Sequence, residues 1–583
     1  MFYKLLRLAT DKMVFYIIKL LFFFPSLKRL VYPYREIGFK ILYPERRNNF
    51  FKVFSKGKYR DSQVALIQAP GWGVVTLPLA IASLTAYIRR HNFRVMPVDI
   101  NVELYRMNED RYKEGWFVGD DICKFWNNPT TVERFINENK QVLDRYVECI
   151  LQGGGKVIGF SIYNSSLSMS LYLAKEIKSI AKDRIIVFGG PHASVFMAGN
   201  SIIENHPEVD FVVEGEGEET LLEIVQKVLS GVEITECPGA MFRQNGKIVV
   251  GPRRELIKNL DSLPFPDFSD FNFYLYREPF RIPISSSRGC VNRCIFCNER
   301  PYWRIYRSRS GESMFEEVKY QLTKYLGVFF LAFQDSLVNG NIKALEKFCD
   351  LIISSGIQVQ WAGQAIIRKE MTYELLTKLK KSGCVSLAYG LETTSASTLE
   401  KIGKVFSKGI DIDRFMKDSQ KAGVGANLNF MFGLPGETDE EAEENILFLK
   451  RNAKLIDTVN PSPGFCSITP GTLAYKNPEK YGIDISNGSD YWVSADGTNT
   501  YLKRLERFER FIATAHELGV PCVYMHPKYA NKNEAIANYY FAIKEYEKAI
   551  PYYEDAIKYE ARNQANIDRL EICRKLSQKT YKT

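Results

Sequence analysis

The stretch Ser287-Arg-Gly-Cys-Val-Asn-Arg-Cys-Ile-Phe-Cys297 places Cys290, Cys294 and Cys297 in a Cys-x-x-x-Cys-x-x-Cys spacing. That spacing lets three thiolates converge on one face of a short loop. They fill three corners of a four-iron cluster and leave one iron open. A structural zinc site takes a fourth ligand at short spacing. None follows, because the next cysteine is Cys349 and the next histidine is His516. Three ligands and one open iron describe a [4Fe-4S] centre that binds something. Arg288 and Arg293 flank the motif and are expected to favour the thiolate forms.

Working outward, the triplet opens a series of short apolar strands separated by amphipathic helices, the texture of parallel α/β architecture. The expected strands are Ile282–Ser287, Val328–Phe333, Val359–Ala362, Val385–Tyr389, Ala426–Phe432 and Gly464–Ile468. Six such units predict a partial (β/α)6 barrel of TIM type over residues 282–480, with its chemistry at the C-terminal ends of the strands. Polar residues collect there: Gln334 and Asp335, Gln364, Glu392, and the segment Gly433-Leu-Pro-Gly-Glu-Thr438. Cys466 falls near the end of the sixth expected strand, where a buried packing role is the safer reading.

A second α/β series precedes the triplet over residues 61–235. Its expected strands are Val64–Ala69, Arg94–Asp99, Val157–Ile162, Arg184–Phe188 and Val209–Val213. Most of them end in Gly- or Ser-rich turns, where open sheets bind ligands. No Gly-x-Gly-x-x-Gly follows the first strand, so a dinucleotide is disfavoured. Residues 101–150 read as a helical insertion, and residues 236–281 as a connector. Residues 481–583 read as helical. Within them Ala537, Tyr540, Ala549, Tyr553 and Ala556 match one tetratricopeptide-like repeat. One copy cannot bury its own face, so it is expected to dock on the barrel or on a protein partner.

The chain has 583 residues, of which 45% are hydrophobic and 25% charged, as in soluble globular proteins. Its 11 cysteines follow no disulfide pattern and no convincing secretory signal is present, which favours a reducing cytoplasm. Net charge is +10, and residues 1–60 hold 14 Lys/Arg against 3 Asp/Glu, so the rest of the chain is nearly neutral. The same leader carries Phe15, Tyr16, Phe22, Phe23, Phe24, Phe50 and Phe51. Basic and aromatic residues interleaved in this way suit an anionic membrane surface. The apolar run Met13–Phe24 would make a helix of about 18 Å, too short for a hydrocarbon core of about 30 Å. Peripheral attachment to the inner face of the membrane is therefore the preferred expectation, ahead of a helix packed on the protein body. Nucleic acid is not expected.

With cysteines, barrel and upstream α/β domain in place, the chain resembles the cobalamin-dependent radical S-adenosylmethionine (SAM) enzymes over roughly residues 60–475. The triplet matches the superfamily pattern, including Phe296 before the last cysteine. Tyr389-Gly-Leu-Glu-Thr-Thr394 is similar to the family's Gly-x-Glu-Ser segment, so the resemblance makes Glu392 a positioning residue for the SAM methionyl group; the alternative is a rim salt bridge. Gly433, Pro435 and Gly436 match a further SAM loop, and Gln334, Asp335 and Gln364 join the SAM set. Ser161, Gly189, Gly190, His192, Gly215 and Gly217 fall on the strand ends and loops that hold cobalamin in the family, within a Rossmann-like domain. The Asp-x-His-x-x-Gly motif that supplies a lower axial histidine is absent, since Asp99 is followed by Ile-Asn-Val-Glu103. His192 is a candidate cobalamin contact, with a turn histidine bonded to backbone as the other reading.

The resemblance implies that the open iron chelates SAM, that a reductant of flavodoxin or ferredoxin type supplies the electron, and that the resulting deoxyadenosyl radical attacks an unactivated carbon. Methyl transfer from cobalamin to a lipid, isoprenoid or other secondary-metabolite-type small molecule is the first expectation. Cyclisation, rearrangement or oxidation without methyl transfer is the second, and a non-catalytic membrane-associated scaffold the third. A methylthiotransferase is disfavoured, because Cys123, Cys149 and Cys237 lie too far apart to form a second triplet.

Overall fold

The computed structural model describes residues 49–580 except 109–110, 117–119, 195–196, 326, 462–464, 523–531 and 560–563. The apolar run Met13–Phe24 lies outside the described residues. Among those described, no helix is long and apolar enough to cross a membrane.

Five buried apolar runs build the core of the first domain: β1 (Val64–Gln68), β2 (Val95–Asp99), β3 (Val157–Ser161), β4 (Ile185–Gly189) and β5 (Phe211–Val213). β1, β2 and β3 are buried at every position, which marks a parallel sheet covered on both faces. The sheet order is β2-β1-β3-β4-β5 and all five strands are parallel. This is the doubly wound order whose switch point, and hence ligand crevice, lies between β1 and β3.

Two expectations need revision here. Residues 101–150 include the helix Pro129–Gln152, capped by the Asn128 side chain on the Thr131 amide, and this helix lies on the crossover that carries the chain from β2 to β3. Within the segment read as connector, β6 (Ala240–Gln244) and β7 (Lys247–Val250) form a hairpin that extends the sheet antiparallel beyond β5. β7 is mostly exposed although Ile248, Val249 and Val250 are apolar.

The second sheet is the barrel. Its strands are β8 (Arg281–Ile284), β11 (Phe330–Phe333), β12 (Gln360–Ala365), β13 (Cys384–Glu392), β14 (Gly425–Phe430) and β15 (Thr458–Pro461). Between the first two, β9 (Ser287–Arg288) and β10 (Arg307–Ser308) pair antiparallel around the cysteine loop. The six barrel strands run parallel in chain order, which is a partial barrel. In β14, Ala426, Leu428 and Phe430 are buried under helices, while Asn427 and Asn429 alternate with them on the partly exposed face.

The sixth strand is Thr458–Pro461 and not Gly464–Ile468; Phe465–Ile468 forms no strand. Side-chain bonds pin this polar edge: Asp457 accepts from the Ala426 amide at 2.7 Å, Thr458 donates to Asn427 at 2.7 Å, and Asn460 donates to Asn429 at 3.1 Å. A strand held by amide and hydroxyl partners carries no alternating apolar signal. Cys466 and Ile468 instead pack with Ile295, Leu434 and Trp492, so Cys466 is a buried packing residue.

At the C-terminus, Ala537, Ala549 and Tyr553 of the expected repeat bury against Leu570 and Cys573 of the last helix, Gln564–Thr580. Tyr539 stacks on Tyr501 at 5.5 Å, which docks the helices on the body of the protein. Phe50 and Phe51, assigned to the leader, are buried against Tyr146 at 5.4 and 4.5 Å.

Candidate active site at the barrel mouth and sheet crevice

Cys290, Cys294 and Cys297 sit on the loop between β9 and β10, all partly buried and free of disulfides. Burial pushes the thiols up, to about 12 for Cys294 and about 11 for Cys297, and the neighbouring cysteines add to the shift on both. The cation opposing this at Cys290 and Cys294 is Lys404. The expectation for Arg288 and Arg293 is therefore corrected. Arg293 is exposed, and Arg288 turns away to pair with Glu216 and Glu218.

Lys404 was not singled out from sequence. Its loop lies against the cysteine loop, with the Ile295 amide donating to the Ile402 carbonyl at 3.0 Å. Gly403 adopts φ +77°, and a Cβ there would meet the Arg293 carbonyl at 2.8 Å. The buried Lys404 ammonium bonds Glu392 at 2.9 Å. Burial alone would lower the Lys404 pKa, but Glu392 and Cys294 more than offset it. Glu392 ends β13 at a bulge and holds φ +66°, a left-handed conformation that carries strain in a non-glycine residue. That turn brings the carboxylate to the rim beside the thiols. The salt-bridge reading of Glu392 is thus present, but its partner faces the cysteines.

The other SAM candidates divide. Gln334 and Gln364 are exposed at the barrel mouth; Gln364 lies in register with Asn427 and Thr458 through Ala388, and Asn429 pairs with Asn460 two residues on. The lumen face is thus largely uncharged amide and hydroxyl. Asp335 does not face it. Its buried carboxylate accepts from the Ser286 amide at 2.7 Å, the Ser287 amide at 2.6 Å, and the Ser286 and Ser285 hydroxyls at 2.8 and 3.1 Å. Asp335 holds the backbone that leads into the cysteine loop, and this corrects its assignment as a ligand contact.

Gly433 holds φ +69°, and a Cβ would lie 2.0 Å from Arg504 Cγ, so this glycine is required by packing. Its amide donates to Glu437 at 2.8 Å, and Glu437 pairs with Arg507 at 3.0 Å. The helix Tyr501–Glu517 therefore braces the 433–438 loop; Pro435 is buried and Gly436 exposed. Phe296 packs near Met431 against the small core formed by Ile295, Leu434 and Trp492.

In the first domain, the strand ends meet at the switch point. Trp72 stacks on Tyr163 with centroids 3.7 Å apart, filling part of the crevice between β1 and β3. Ser161 and Gly189 pair in register at the ends of β3 and β4. Gly190 has φ +105° with the Ile162 carbonyl 2.8 Å from a would-be Cβ, so only glycine fits this close turn. Gly215 has φ +78° and open space where a Cβ would point, and Gly217 begins the helix Gly217–Ser230. His192 is half-buried and burial lowers its pKa, which favours a neutral imidazole. Its backbone bonds Ile162 and Ala198.

A family model described as the radical SAM superfamily matches residues 284–449, and one described as a B12 binding domain matches residues 132–225. Residues 284–449 therefore carry a radical SAM domain and residues 132–225 a B12-binding domain. It is 30% identical over 299 residues, 51% of this chain, to an uncharacterized methyltransferase of Pyrococcus horikoshii. It is 27% identical over 302 residues, 48% of this chain, to the anaerobic magnesium-protoporphyrin IX monomethyl ester cyclase of Cereibacter sphaeroides. The matched regions span 64% and 48% of those relatives' lengths. The fold of the radical S-adenosylmethionine methyltransferase TsrM from Kitasatospora setae superposes with a TM-score of 0.58 at 16% identity, covering 80% of this chain and 92% of TsrM.

The donor set of the radical SAM domain fits a cluster better than a mononuclear ion. Among the described residues no three His, Cys, Asp or Glu side chains close on one metal position, yet Cys290 and Cys297 both raise the Cys294 pKa and Cys290 raises that of Cys297. Thiols that are close but not convergent on one point suit a multi-iron group. In the B12-binding domain, the tight turn at Gly190 and the open space beside Gly215 lie at the C-terminal ends of β4 and β5, the edge of a parallel sheet that takes a ligand.

Proposed function

We propose that this protein is a cobalamin-dependent radical SAM methyltransferase that methylates an unactivated carbon of a lipid, isoprenoid or other secondary-metabolite-type small molecule. The observation that carries the reading is the rim where the Glu392–Lys404 pair meets three partly buried thiols, beside a B12-binding domain whose loops reach the same cysteine loop. When bound, the cluster with SAM supplies a carbon-centred radical, and cobalamin supplies a methyl group.

The chain's own residues hold and orient. Cys290, Cys294 and Cys297 would hold the cluster. Lys404 and Glu392 offer a cation and a carboxylate about one hydrogen bond apart, which complements the carboxylate and ammonium ends of an amino acid. The strained φ of Glu392 holds that carboxylate in place before a ligand arrives. The lumen amides Gln364, Asn427, Asn429 and Asn460 suit a molecule that enters by a functionalised, hydrogen-bonding end. An electron donor of flavodoxin or ferredoxin type and an anionic membrane surface complete the proposal, the latter resting on the basic, aromatic leader.

The similarity to a cyclase supports a second reading, oxidation or ring formation without methyl transfer. Methyl-deuterated SAM separates them. Anaerobically reconstituted protein carrying about four irons per chain passes the label into product on the first reading. Product without label refutes methyl transfer, and absence of both cluster and SAM cleavage refutes the enzyme reading. Deleting residues 1–30 is expected to abolish liposome binding; unchanged binding removes the membrane partner.

A further inference from the structure

The cysteine loop is tied at both ends to one five-residue segment of the other domain, residues 214–218, where the turn after β5 enters the helix Gly217–Ser230. At its entrance, Arg288 stands two residues before Cys290, and its guanidinium binds Glu216 and Glu218 together. Arg307, paired with Arg288 across β9 and β10, reaches the same Glu216 at 2.9 Å and the Ile257 carbonyl at 2.7 Å. At its exit, the short helix Glu299–Trp303 begins two residues after Cys297, and its Tyr302 hydroxyl donates to the Gly215 carbonyl at 3.2 Å. Trp303 lies under the Arg288 guanidinium at 5.6 Å. All four anchor groups are half-buried or buried, with Arg288 and Glu216 side chains 16% and 6% exposed. Glu216 and Glu218 flank Gly217, and Gly215 is the glycine whose Cβ position is open space.

Buried guanidinium–carboxylate pairs contribute little net stability against an apolar alternative, but they fix geometry, because each charge tolerates few arrangements once solvent is excluded. A merely adhesive interface would not need two guanidinium groups and a phenol aimed at one short segment. We propose that Arg288, Glu216, Glu218 and Tyr302 form an inter-domain clamp that fixes the separation between the cluster loop and the cobalamin-facing loop 214–218, acting as positioning residues for the two cofactors. The inference rests on the cofactor reading above. A clamp on the backbone of both loops makes the inter-cofactor distance a property of the fold, where a hinge between the domains would let it vary.

The test uses the reconstituted full chain and the variants Tyr302→Phe, Glu218→Gln and their combination. Pulsed electron paramagnetic resonance reads the distance distribution between the reduced cluster and Co(II), and hydrogen exchange reads the amides of residues 214–218 and 289–297. In the variants the distance distribution broadens while iron and cobalamin stay bound. Exchange over loop 214–218 rises about tenfold, the opening expected for one lost hydrogen bond. Arg288→Lys, which keeps one ion pair, falls between wild type and the double variant. Wild-type distances and exchange in the double variant overturn the clamp. Exchange is also followed without cofactors, so a wild-type chain that binds neither refutes the functional reading while the amides still decide the clamp.

Discussion

The Glu392–Lys404 pair separates a ligand site from a rim salt bridge through a double-mutant cycle. Lys404 is 4% exposed, and its ammonium lies 2.9 Å from the Glu392 carboxylate. Replacing Lys404 with Met leaves a largely buried carboxylate without its cation, and Glu392→Gln leaves a buried ammonium without its anion. Either change is expected to cost about 3–5 kcal/mol of local stability, the usual consequence of orphaning one buried charge. The double variant K404M/E392Q has no buried charge left and recovers most of that loss. SAM binding follows a different pattern. A charge-assisted hydrogen bond is worth about 1.5–3 kcal/mol, so affinity falls roughly 10- to 100-fold in each single variant. It stays low in the double, because the contacts to the ligand are gone even though the fold is restored. Thermal unfolding and equilibrium binding of SAM, both under anaerobic conditions with the cluster in place, read the two quantities. A double variant that regains both stability and wild-type SAM affinity refutes the ligand role and leaves a salt bridge.

Two further outcomes follow from buried carboxylates. Asp335→Asn replaces an acceptor of four close donors by an amide that turns an NH2 toward them, costing about 3 kcal/mol in the 285–287 backbone; iron is expected to be lost faster to a chelator, and wild-type retention refutes the positioning role. Burial lifts the Glu103 carboxyl to about 7. Because this folded value lies above the unfolded one, the domain is most stable below about pH 4.5 as far as Glu103 is concerned. It loses about 3 kcal/mol as pH rises through 7. Glu103→Gln removes that slope from thermal denaturation measured against pH.

Parallel strands were legible where buried apolar runs lie between turn residues, as in β1 to β5 and β11. β15 was placed too late, because its edge position and polar lumen face replace apolar alternation with Asp457, Thr458 and Asn460 bonds. The hairpin β6–β7 was missed for a related reason, one strand being mostly solvent-exposed. At the site, the residue types and spacing of Cys290, Cys294 and Cys297 were enough to define a cluster loop. Lys404 carried no such signal, as it is one lysine in Lys401-Ile-Gly-Lys404 and its partners lie elsewhere in the chain.

Sequence by itself determined which chemistry the chain can hold: three thiols at loop spacing, two α/β series, and glycines at strand ends. Those features are local, so adjacent residues suffice to read them. Only the tertiary structure decided how that chemistry is arranged. It turned Arg288 from a thiolate helper into an anchor for Glu216 and Glu218, gave the thiols Lys404 as their cation, and set Arg504 and Arg507 behind the 433–438 loop. Each of these depends on charges that are distant in sequence and share one desolvated space, where position rather than residue type sets the outcome.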